Sequence, residues 1–422
     1  MNCKVEKSKL SGILACPPNK SYTHRAIFLA ALAGNKSKVE NVLFSADTDA
    51  TIVACENFGA HLERKDSSII VKSPIGKGDF MPEINAENSG TTIRIATAIA
   101  SLFHHETTLT GDTSLQKRPM QPLLDSLSSM GAKCISTDGK PPIKISGKIS
   151  GGDVTIPGNF SSQFVSAILI SAPLTEKGVN LAIEGNLVSK PYLDATIATM
   201  RKFGVTVQTL IPYKRYNIPP QIYKYAEFTV PIDFSSLALL LSAAVLCGKS
   251  LEVKGSIGNL PQGDEVFIDI IEQLGVKVTI KDNKIATQSP EKLNGGRFDL
   301  SNSPDLLPPL AILSLKATEP IEIVNVKHAR LKETDRIAII AKEISKLGIN
   351  VEEKEDGLVL HPPSELKGAC LDPQKDHRLF MAFCIAGMYV GDCNVLDPES
   401  VSVSYPNFIE EMKSIGAKIL IR

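Results

Sequence analysis

The sequence predicts an α/β fold of two domains, each built from three βαβαββ-like repeats. Three observations predict it: a short phrase recurs six times, a strongly apolar helix accompanies each recurrence, and the chain has 422 residues. A chain of this length exceeds what one ordinary hydrophobic core organises, so two domains of about two hundred residues each are expected.

The recurring phrase is a helical segment that ends in an apolar residue, a glycine and then Ala, Val or Ile. A glycine at this place suits the left-handed residue that follows many helices, and the alternating apolar and polar residues after it indicate a strand. Several of these strands run into turn signals at 65–68, Asp138-Gly139, Asp282-Asn283 and Asp356-Gly357, which predict hairpins. The six glycines lie 68 to 73 residues apart, at Gly59, Gly131, Gly204, Gly275, Gly348 and Gly416.

Each repeat also contains a helix that is rich in Ala, Leu and Ile and apolar on nearly all sides. Such a helix belongs in an interior, so we expect buried helices surrounded by sheet and by amphipathic helices. The stretch 213–228, with paired prolines and no apolar periodicity, is expected to mark the domain junction. The six buried helices are expected to begin near Ser21, Gly90, Ser162, Ser235, Asp305 and His377.

All six buried helices begin with polar or charged residues. If rotation relates the repeats, the three helices of each domain present their N-termini toward one face. Unsatisfied backbone N–H groups and the helix dipole attract anions there, by about 0.3–1 kcal/mol per exposed terminus. Simple capping remains the alternative for individual members such as Ser235 and Ser236. The set of six is better explained by an anion-binding face in each domain, and two such faces opposed across a hinge would trap an anion.

Charge and cysteine content exclude several classes of protein. Lys+Arg and Asp+Glu both number 46, which argues against a nucleic acid or a membrane surface as partner. The eight cysteines form no CxxC pair and lie mostly in apolar stretches, as expected for small buried residues in a reducing compartment. The N-terminus lacks the apolar core of a signal peptide, and the longest apolar run is too short to span a bilayer. We therefore expect a soluble cytoplasmic protein.

Polar residues also cluster outside the six helix starts. In 330–348, Lys332, Glu333 and Arg336 are expected to open an amphipathic helix. Cations at that end of a helix oppose its dipole, which makes sense if a bound anion compensates them. The loop-like runs QKRP (116–119) and LVSKPYLD (187–194) have the same polar character.

These motifs resemble those of the 5-enolpyruvylshikimate-3-phosphate (EPSP) synthase family, the 3-phosphoshikimate 1-carboxyvinyltransferases, over essentially the whole chain. The segments that carry the resemblance are PPNKSYTHR, NSGTTIR, QKRP, SSQF, LVSKPYLD, LKETDR and DHR, in family order and at family spacing. The resemblance implies a two-domain inside-out α/β barrel fold. It also implies that residues 1–18, including the first strand, join 231–422 in a C-terminal domain, that 19–230 form the N-terminal domain, and that the active site lies in the cleft between them.

The implied reaction transfers the enolpyruvyl group of phosphoenolpyruvate to the 5-hydroxyl of shikimate 3-phosphate and releases phosphate, without a metal or an organic cofactor. It belongs to the shikimate pathway to chorismate and the aromatic amino acids. The residues implied to bind shikimate 3-phosphate are Lys20, Ser21, Arg25, Ser161, Ser162, Gln163, Ser189, Tyr192, Asp305 and Lys332. Those implied to bind phosphoenolpyruvate are Lys20, Gly90, Arg118, Gln163, Arg336 and Arg378, and those implied to support the site are Asn88, Thr91, Arg94, Asp376 and His377.

The chemistry requires one proton to be delivered to the methylene carbon and one to be removed from the attacking hydroxyl. We expect Asp305 to be the base near the hydroxyl and Glu333 to be the proton donor, with Lys332 steering either and Lys20 also catalytic. The charges of the candidate site match those of the substrates. The two substrates carry about five to six negative charges, and the candidate site holds seven cations against two carboxylates. We expect a monomer that closes on its small-molecule substrates.

Three other readings of the sequence compete with this one. The sister enzyme that transfers enolpyruvate to UDP-N-acetylglucosamine shares the fold, but it typically carries a cysteine in the loop that matches GDTSLQKRP, where this chain has none. A protein similar to RNA 3′-phosphate cyclase is built from similar repeats, but zero net charge and the lack of a basic, aromatic-rich segment oppose it. A binding protein that has lost catalysis would not need both Asp305 and Glu333.

Two positions depart from the family pattern. Val403 stands where relatives usually have a further phosphoenolpyruvate-contacting lysine, and His328 stands where they have an asparagine. Both departures concern affinity more than the class of reaction. The loss of a cation at Val403 predicts weak binding of phosphoenolpyruvate.

Introducing the missing lysine as Val403→Lys should therefore lower the KM for phosphoenolpyruvate, because it adds a cation for an anionic substrate. Steady-state kinetics with phosphoenolpyruvate as the varied substrate measure the change. A KM that stays the same would contradict the expectation.

Overall fold

A computed structural model describes residues 1–33, 36–255 and 258–422. Contacts divide the chain into two compact units. The N-terminal unit comprises Pro18–Pro231 and Asn259–Gln262. The C-terminal unit comprises Met1–Pro17, Ile232–Gly258 and Gly263–Arg422.

The strands are short, most of them three to seven residues long. They are β1 (Asn2–Glu6), β2 (Leu10–Ala15), β3 (Lys38–Glu40), β4 (His61–Lys65), β5 (Ser68–Ser73), β6 (Glu83–Asn85), β7 (Thr107–Thr110), β8 (Lys133–Thr137), β9 (Lys140–Ser146), β10 (Gly152–Pro157), β11 (Val179–Glu184) and β12 (Gln208–Ile211). The later strands are β13 (Arg215–Ile218), β14 (Glu227–Thr229), β15 (Gly248–Lys254), β16 (Lys277–Lys281), β17 (Lys284–Gln288), β18 (Gly296–Asp299), β19 (Ile321–Val324), β20 (Val351–Lys354), β21 (Gly357–Leu360), β22 (Cys370–Leu371), β23 (Cys393–Leu396) and β24 (Lys418–Ile421).

Two helices alternate within each repeat, one buried and one amphipathic. The helices are α1 (Lys20–Ala33), α2 (Ala46–Asn57), α3 (Gly90–Ala100), α4 (Gln121–Ser129), α5 (Ser162–Ser171), α6 (Lys190–Lys202), α7 (Phe234–Cys247), α8 (Phe267–Gln273), α9 (Leu307–Leu313), α10 (Arg336–Ser345), α11 (His377–Val390) and α12 (Phe408–Ser414). None of the helices in the described ranges has the length and apolar composition that crossing a membrane requires.

The N-terminal unit contains three four-stranded sheets, with strand orders β14-β3-β5-β4, β6-β7-β9-β8 and β10-β11-β13-β12. In each sheet the first two strands are parallel, and the other two neighbouring pairs are antiparallel. This is the pattern of a βαβαββ repeat, so the predicted repeat is confirmed. The first repeat takes its first strand, β14, from the end of the unit.

The C-terminal unit repeats the same pattern in the sheets β16-β17-β15-β2, β18-β19-β21-β20 and β22-β23-β1-β24. Residues 1–17 supply two strands to it rather than one. The strand β2 pairs in parallel with β15 and begins the fourth repeat. The strand β1 pairs with β23 and β24 and completes the sixth repeat.

One helix of each repeat is buried, as predicted. Helices α1 and α5 both contact α3 in the N-terminal unit, and α7, α9 and α11 contact one another in the C-terminal unit. Every residue of α7 is buried. The alternate helices have an exposed face, as in α4, where only four of nine residues are buried. A helix that is apolar on all sides, such as α7, keeps its apolar surface away from water only if it is buried on all sides.

The recurring glycines all follow helices with φ between +78° and +111°, a region that L residues with a Cβ rarely adopt. The predicted turns are confirmed as well. Asp66, Asp138, Asp282 and Asn283 have positive φ at the tips of hairpins, and β20 and β21 pair across the turn at 355–356.

Three local predictions need correction. The helix expected to open at Lys332 begins at Arg336, because Asp335 caps it by accepting a hydrogen bond from Ala338 N at 3.0 Å. The helix expected to begin near Asp305 begins at Leu307, after a 3-10 turn over Pro304–Leu306. The stretch 213–228 is not the junction but part of the N-terminal unit, where it provides β13 and most of β14, and the chain leaves that unit after Pro231.

Candidate active site

The first polar group of the N-terminal unit lies where α1 begins. The side chain of Asn19 accepts a hydrogen bond from Tyr22 N at 2.8 Å and so satisfies one of the free N–H groups of the helix. Lys20 is the first residue of α1, and its Nζ lies 3.1 Å from Asp47 Oδ2. Asp47 belongs to the first turn of α2 and was not identified from the sequence, although an acidic residue in a first helical turn is a recognisable signal.

Arg25 lies one turn further along α1 and is only 1 % exposed. Its guanidinium donates to Thr196 Oγ1 at 2.7 Å, to the Ser21 carbonyl at 2.9 Å and to the Tyr192 carbonyl at 3.3 Å. Burial lowers the pKa of Arg25 to about 10. These partners are neutral oxygens, so an incoming anion would add the first full negative charge to this set.

The first turns of α3 and α5 are joined by side chains. Arg94 Nη1 donates to Gln163 Oε1, and Gln163 Nε2 donates to Thr91 Oγ1 at 3.2 Å. The Arg94 guanidinium lies 5.1 Å from the centroid of the Phe164 ring. Ser161 caps α5 by accepting from Gln163 N at 3.3 Å, and the next residue, Ser162, is buried. The two helix starts therefore form one polar surface.

Gly90 opens α3 at a point where two guanidinium groups converge. A Cβ added to Gly90 would lie 2.7 Å from Arg94 Nη1 and 3.0 Å from Arg118 Nη1. Arg118 Nη2 donates to Asn88 Oδ1 at 2.8 Å, and Asn88 Nδ2 donates to Asp112 Oδ2 at 2.7 Å. The glycine thus leaves room for two cations beside a helix N-terminus, which favours an anion at this place.

Ser189 precedes α6 with φ of +54°, a left-handed conformation that a serine rarely adopts. It is buried, and the next residue, Lys190, places its Nζ 5.4 Å from the centroid of the Tyr213 ring. Tyr192 in the first turn of α6 provides the carbonyl that Arg25 and Thr196 share. The run LVSKPYLD is therefore tied to α1 and is not an independent loop.

The centre of the polar cluster in the C-terminal unit is Arg336, which is 1 % exposed. Its Nε lies 2.7 Å from Asp376 Oδ2, its Nη1 lies 2.7 Å from Asp305 Oδ1, and its Nη2 lies 2.7 Å from Glu333 Oε2. Burial disfavours the charge, but the three carboxylates Asp376, Glu333 and Asp305 outweigh it and raise the pKa of Arg336 above its ordinary value. The guanidinium fixes all three acids in place.

Asp305 is the carboxylate that meets most cations. Lys332 Nζ lies 3.5 Å and Arg378 Nη2 lies 3.4 Å from its oxygens, in addition to Arg336. Asp376 caps α11 by accepting from Arg378 N at 3.0 Å, and His377 beside it is buried. The three cations Lys332, Arg336 and Arg378 are matched by the three carboxylates Asp305, Glu333 and Asp376, so the cluster as a whole is close to neutral.

His328 lies beside this cluster in a 3-10 turn over Lys327–Leu331. Burial lowers its pKa from 6.5 to about 4, and the charge of Lys332 acts in the same direction while Asp305 opposes it. At neutral pH the imidazole is therefore uncharged. Sequence analysis did not show that this polar group would be partly buried beside the cluster.

Apart from His328 and Val403, the candidate residues fall into three groups. Some lie at the start of a helix, some lie in the loop directly before a helix, and the others have a side chain that bonds to a helix start. In the C-terminal unit, the candidates form one polar cluster around Arg336. In the N-terminal unit, they form several groups at the starts of the helices. Sequence reasoning missed Asp47, Ser166, Thr196 and Asp264, which bond to candidates or act on them through their charge. Among the described residues, no three His, Cys, Asp or Glu side chains come together as a set that could hold a metal ion.

Comparisons with known proteins agree across the whole length of the chain. The sequence model of a family described as "EPSP synthase (3-phosphoshikimate 1-carboxyvinyltransferase)" matches residues 5–412. The 3-phosphoshikimate 1-carboxyvinyltransferase of Nitrosopumilus maritimus is 75% identical over 419 residues, which cover 99% of both chains. That of Methanosphaera stadtmanae is 40% identical, and the match covers 99% of this chain and 100% of the relative.

Solved structures share the fold. An EPSP synthase from Acinetobacter baumannii superposes with a TM-score of 0.82 at 24% sequence identity, covering 99% of both chains. The enolpyruvyl transferase NikO from Streptomyces tendae has a TM-score of 0.78 at 18% identity, covering 99% of this chain and 98% of its own. The predicted fold class is thereby confirmed.

The partly buried, neutral His328 predicts a pH dependence of stability. Its pKa is lower in the folded chain than in the unfolded chain, so protons bind the unfolded chain more readily and stability falls as pH drops from about 6.5 toward 4. When the pH falls from 7.5 to 5, the unfolding free energy of His328→Asn should drop by ~1–2 kcal/mol less than that of the unsubstituted protein. Urea unfolding at the two pH values measures this difference. Equal pH dependence for His328→Asn and the unsubstituted protein would contradict the prediction.

Proposed function

The chain belongs to the EPSP synthase family, and from this premise we propose that the polar clusters of its two units bind the two substrates of the family's reaction. The protein is a 3-phosphoshikimate 1-carboxyvinyltransferase. It transfers the enolpyruvyl group of phosphoenolpyruvate to the 5-hydroxyl of shikimate 3-phosphate and releases phosphate, in the shikimate pathway to chorismate. The observation that carries the residue assignment is Asp305, a carboxylate held among Lys332, Arg336 and Arg378.

Shikimate 3-phosphate is assigned to the helix starts of the N-terminal unit together with two residues of the C-terminal unit. Arg25 supports this assignment best, because it is a buried cation whose named partners are neutral. A phosphate group beside it would replace weak neutral partners with a charge-assisted hydrogen bond. The assigned residues are Lys20, Ser21, Arg25, Ser161, Ser162, Gln163, Ser189, Tyr192, Asp305 and Lys332.

Phosphoenolpyruvate is assigned to four cations, a glycine and a glutamine. The space at Gly90 between Arg94 and Arg118 supports its place there, since a planar guanidinium matches the oxygens of a carboxylate or a phosphate. The assigned residues are Lys20, Gly90, Arg118, Gln163, Arg336 and Arg378. We assign a supporting role to Asn88, Thr91, Arg94, Asp376 and His377, which hold or cap these groups.

The proposed chemistry is an addition followed by an elimination. Glu333 delivers a proton to the methylene carbon of phosphoenolpyruvate, the 5-hydroxyl oxygen bonds to the adjacent carbon, and Asp305 accepts the hydroxyl proton. In the second step the bond between that carbon and the phosphate oxygen breaks, Asp305 gives its proton to the leaving phosphate, and Glu333 takes a proton from the new methyl group. Each carboxylate thus works as acid in one step and as base in the other.

The ion pair between Arg336 and Glu333 must break before Glu333 can act as the proton donor. Arg336 Nη2 binds Glu333 in the structure, and a carboxylate paired with a cation holds a proton poorly. We propose that an anionic oxygen of phosphoenolpyruvate takes over this hydrogen bond. Glu333 then loses its ion pair with Arg336 and can carry the proton that it donates. Substrate binding and protonation of Glu333 are therefore coupled through one guanidinium group.

We further propose that the enzyme works as a cytoplasmic monomer on small molecules alone, without a nucleic acid, a membrane or a cofactor. A neutral net charge supports the lack of a polyanionic partner. The cysteines support a reducing compartment, since all eight lie in the described ranges as free thiols.

Amide substitutions at the two carboxylates test the catalytic assignment. Asp305→Asn and Glu333→Gln should each lower kcat by about 10²–10⁴-fold, because each removes a proton-transfer group, while the KM for phosphoenolpyruvate should not rise. Asp305→Asn also removes one negative charge from among Lys332, Arg336 and Arg378, so binding of anionic phosphoenolpyruvate should become equal or tighter. Steady-state and single-turnover rates measure both quantities.

The matched control is Glu353→Gln, which removes an exposed carboxylate of the same unit that pairs with Arg330. It should leave kcat and KM unchanged. A loss confined to KM in Asp305→Asn and Glu333→Gln would overturn the catalytic roles.

A further inference from the structure

Helix α2 contributes none of the residues assigned to a substrate, yet its first two turns bury polar side chains. Asp47, Thr48 and Thr51 are all buried there, and Asp47 is only 5 % exposed. A buried carboxylate is costly unless a cation or hydrogen-bond donors compensate its charge. The polar side chains of this helix therefore need a functional or structural reason.

Lys20 provides a compensating charge for Asp47. Lys20 Nζ donates to Asp47 Oδ2 at 3.1 Å, and the two side chains are 15 % and 7 % exposed. Lys20 opens α1, where the helix dipole disfavours a cation, whereas Asp47 lies in the first turn of α2, where the dipole favours an anion. The carboxylate thus stabilises an ammonium group at a place where the ammonium's own helix opposes it.

Hydrogen bonds fix the first turns of α2 between α1 and α3. Ser45 and Thr48 form a capping box, in which Thr48 N donates to Ser45 Oγ and Ser45 N donates to Thr48 Oγ1. Further along the helix, Thr51 Oγ1 lies 2.6 Å from His24 Nδ1 of α1 and 2.6 Å from Thr92 Oγ1 of α3. The carboxylate at the start of α2 therefore has a defined position relative to α1.

The ion pair leaves the ammonium group able to bind a substrate. An ammonium group has three N–H donors, so Lys20 can bind Asp47 and still donate to the oxygens of an anionic substrate. Lysine has a flexible four-carbon stem, and a substrate that binds a mobile ammonium group must also immobilise it. An ion pair that is already in place orders the ammonium group before the substrate arrives.

We propose that Asp47 is a positioning residue, which holds the ammonium group of Lys20 in the orientation that the reaction requires. The inference rests on the proposed role of Lys20, which belongs to both sets of substrate-binding residues. Asp47 itself does not touch a substrate. It acts through Lys20, so its effect on the rate should vanish when that ammonium group is absent.

Asp47→Asn tests the proposal because it keeps the size of the side chain and removes its charge. The kcat should fall by about 10- to 100-fold, since small displacements of a group that acts on the reacting atoms cost rate on this scale. The KM values for phosphoenolpyruvate and shikimate 3-phosphate should not rise, because the substitution also removes a negative charge that opposes anions. Steady-state kinetics with each substrate varied in turn measure both quantities. An unchanged kcat, or a loss confined to KM, would overturn the proposal.

Asp49→Asn is the matched control, since it removes the other carboxylate in the first turn of α2. Asp49 Oδ1 lies 2.8 Å from Arg64 Nη2, and both side chains are nearly half exposed. The control should leave kcat and both KM values unchanged. If kcat fell equally in Asp49→Asn, the charge of the helical turn rather than the contact with Lys20 would be responsible, and the proposal would be wrong.

Lys20→Met completes a double-mutant cycle with Asp47→Asn, because methionine keeps an unbranched side chain and carries no charge. Single-turnover rates of the four proteins measure the cycle. In the Lys20→Met background, Asp47→Asn should change the rate by no more than about twofold, because the group through which Asp47 acts is gone. A structural defect in α2 would instead lower the rate by the same factor in both backgrounds, and that result would refute the proposal.

Melting temperatures give a second readout, which does not depend on activity. Lys20→Met leaves the buried Asp47 carboxylate without the ammonium group, so it should lower the melting temperature. Adding Asp47→Asn should recover part of that loss, because the uncompensated charge is then removed. If the two substitutions lowered the melting temperature additively, the two side chains would not be coupled, which would contradict the proposal.

These experiments separate the role of Asp47 from the proposed function. If Lys20→Met retains the single-turnover rate, the assignment of Lys20 is wrong, and the inference falls with it. If Lys20→Met lowers the rate strongly while Asp47→Asn retains it, only the role of Asp47 is wrong.

Discussion

Each repeat of the chain buries one helix on all sides, and this constraint determines where polar chemistry can occur. A helix such as α7, whose residues are all buried, can present polar groups only at its ends. The N-terminal ends carry unsatisfied N–H groups and a partial positive charge. Six repeats therefore produce six anion-attracting helix starts, three in each unit, and the remaining side chains of the site gather around them.

The two units balance their buried cations differently. In the C-terminal unit, three carboxylates surround Arg336, and Lys332 and Arg378 bring the cluster close to neutral before any ligand binds. In the N-terminal unit, hydroxyl and carbonyl oxygens hold Arg25, so its charge is left for a ligand. The first arrangement suits proton transfer, which needs carboxylates of defined position. The second suits the permanent charge of a phosphate group.

The sequence predicted the repeat, the hairpin turns and the buried helices, because glycine position and apolar periodicity are local properties. It could not show which side chains from distant segments meet. Asp47 and Asp264 were missed because each lies in a helix or a turn that looks ordinary, and their partners Lys20 and Ser235 are 27 and 29 residues away. The start of α10 was misplaced by four residues, since the charges of LKETDR resemble a helical first turn although Asp335 provides the cap.

The enzyme transfers the enolpyruvyl group from phosphoenolpyruvate to shikimate 3-phosphate. Phosphate release from phosphoenolpyruvate, with shikimate 3-phosphate or UDP-N-acetylglucosamine supplied separately as the acceptor, tests it most directly. Phosphate should be released when shikimate 3-phosphate is the acceptor and not when the nucleotide sugar is. Release with the nucleotide sugar alone, or no release with either acceptor at saturating concentration, would contradict it.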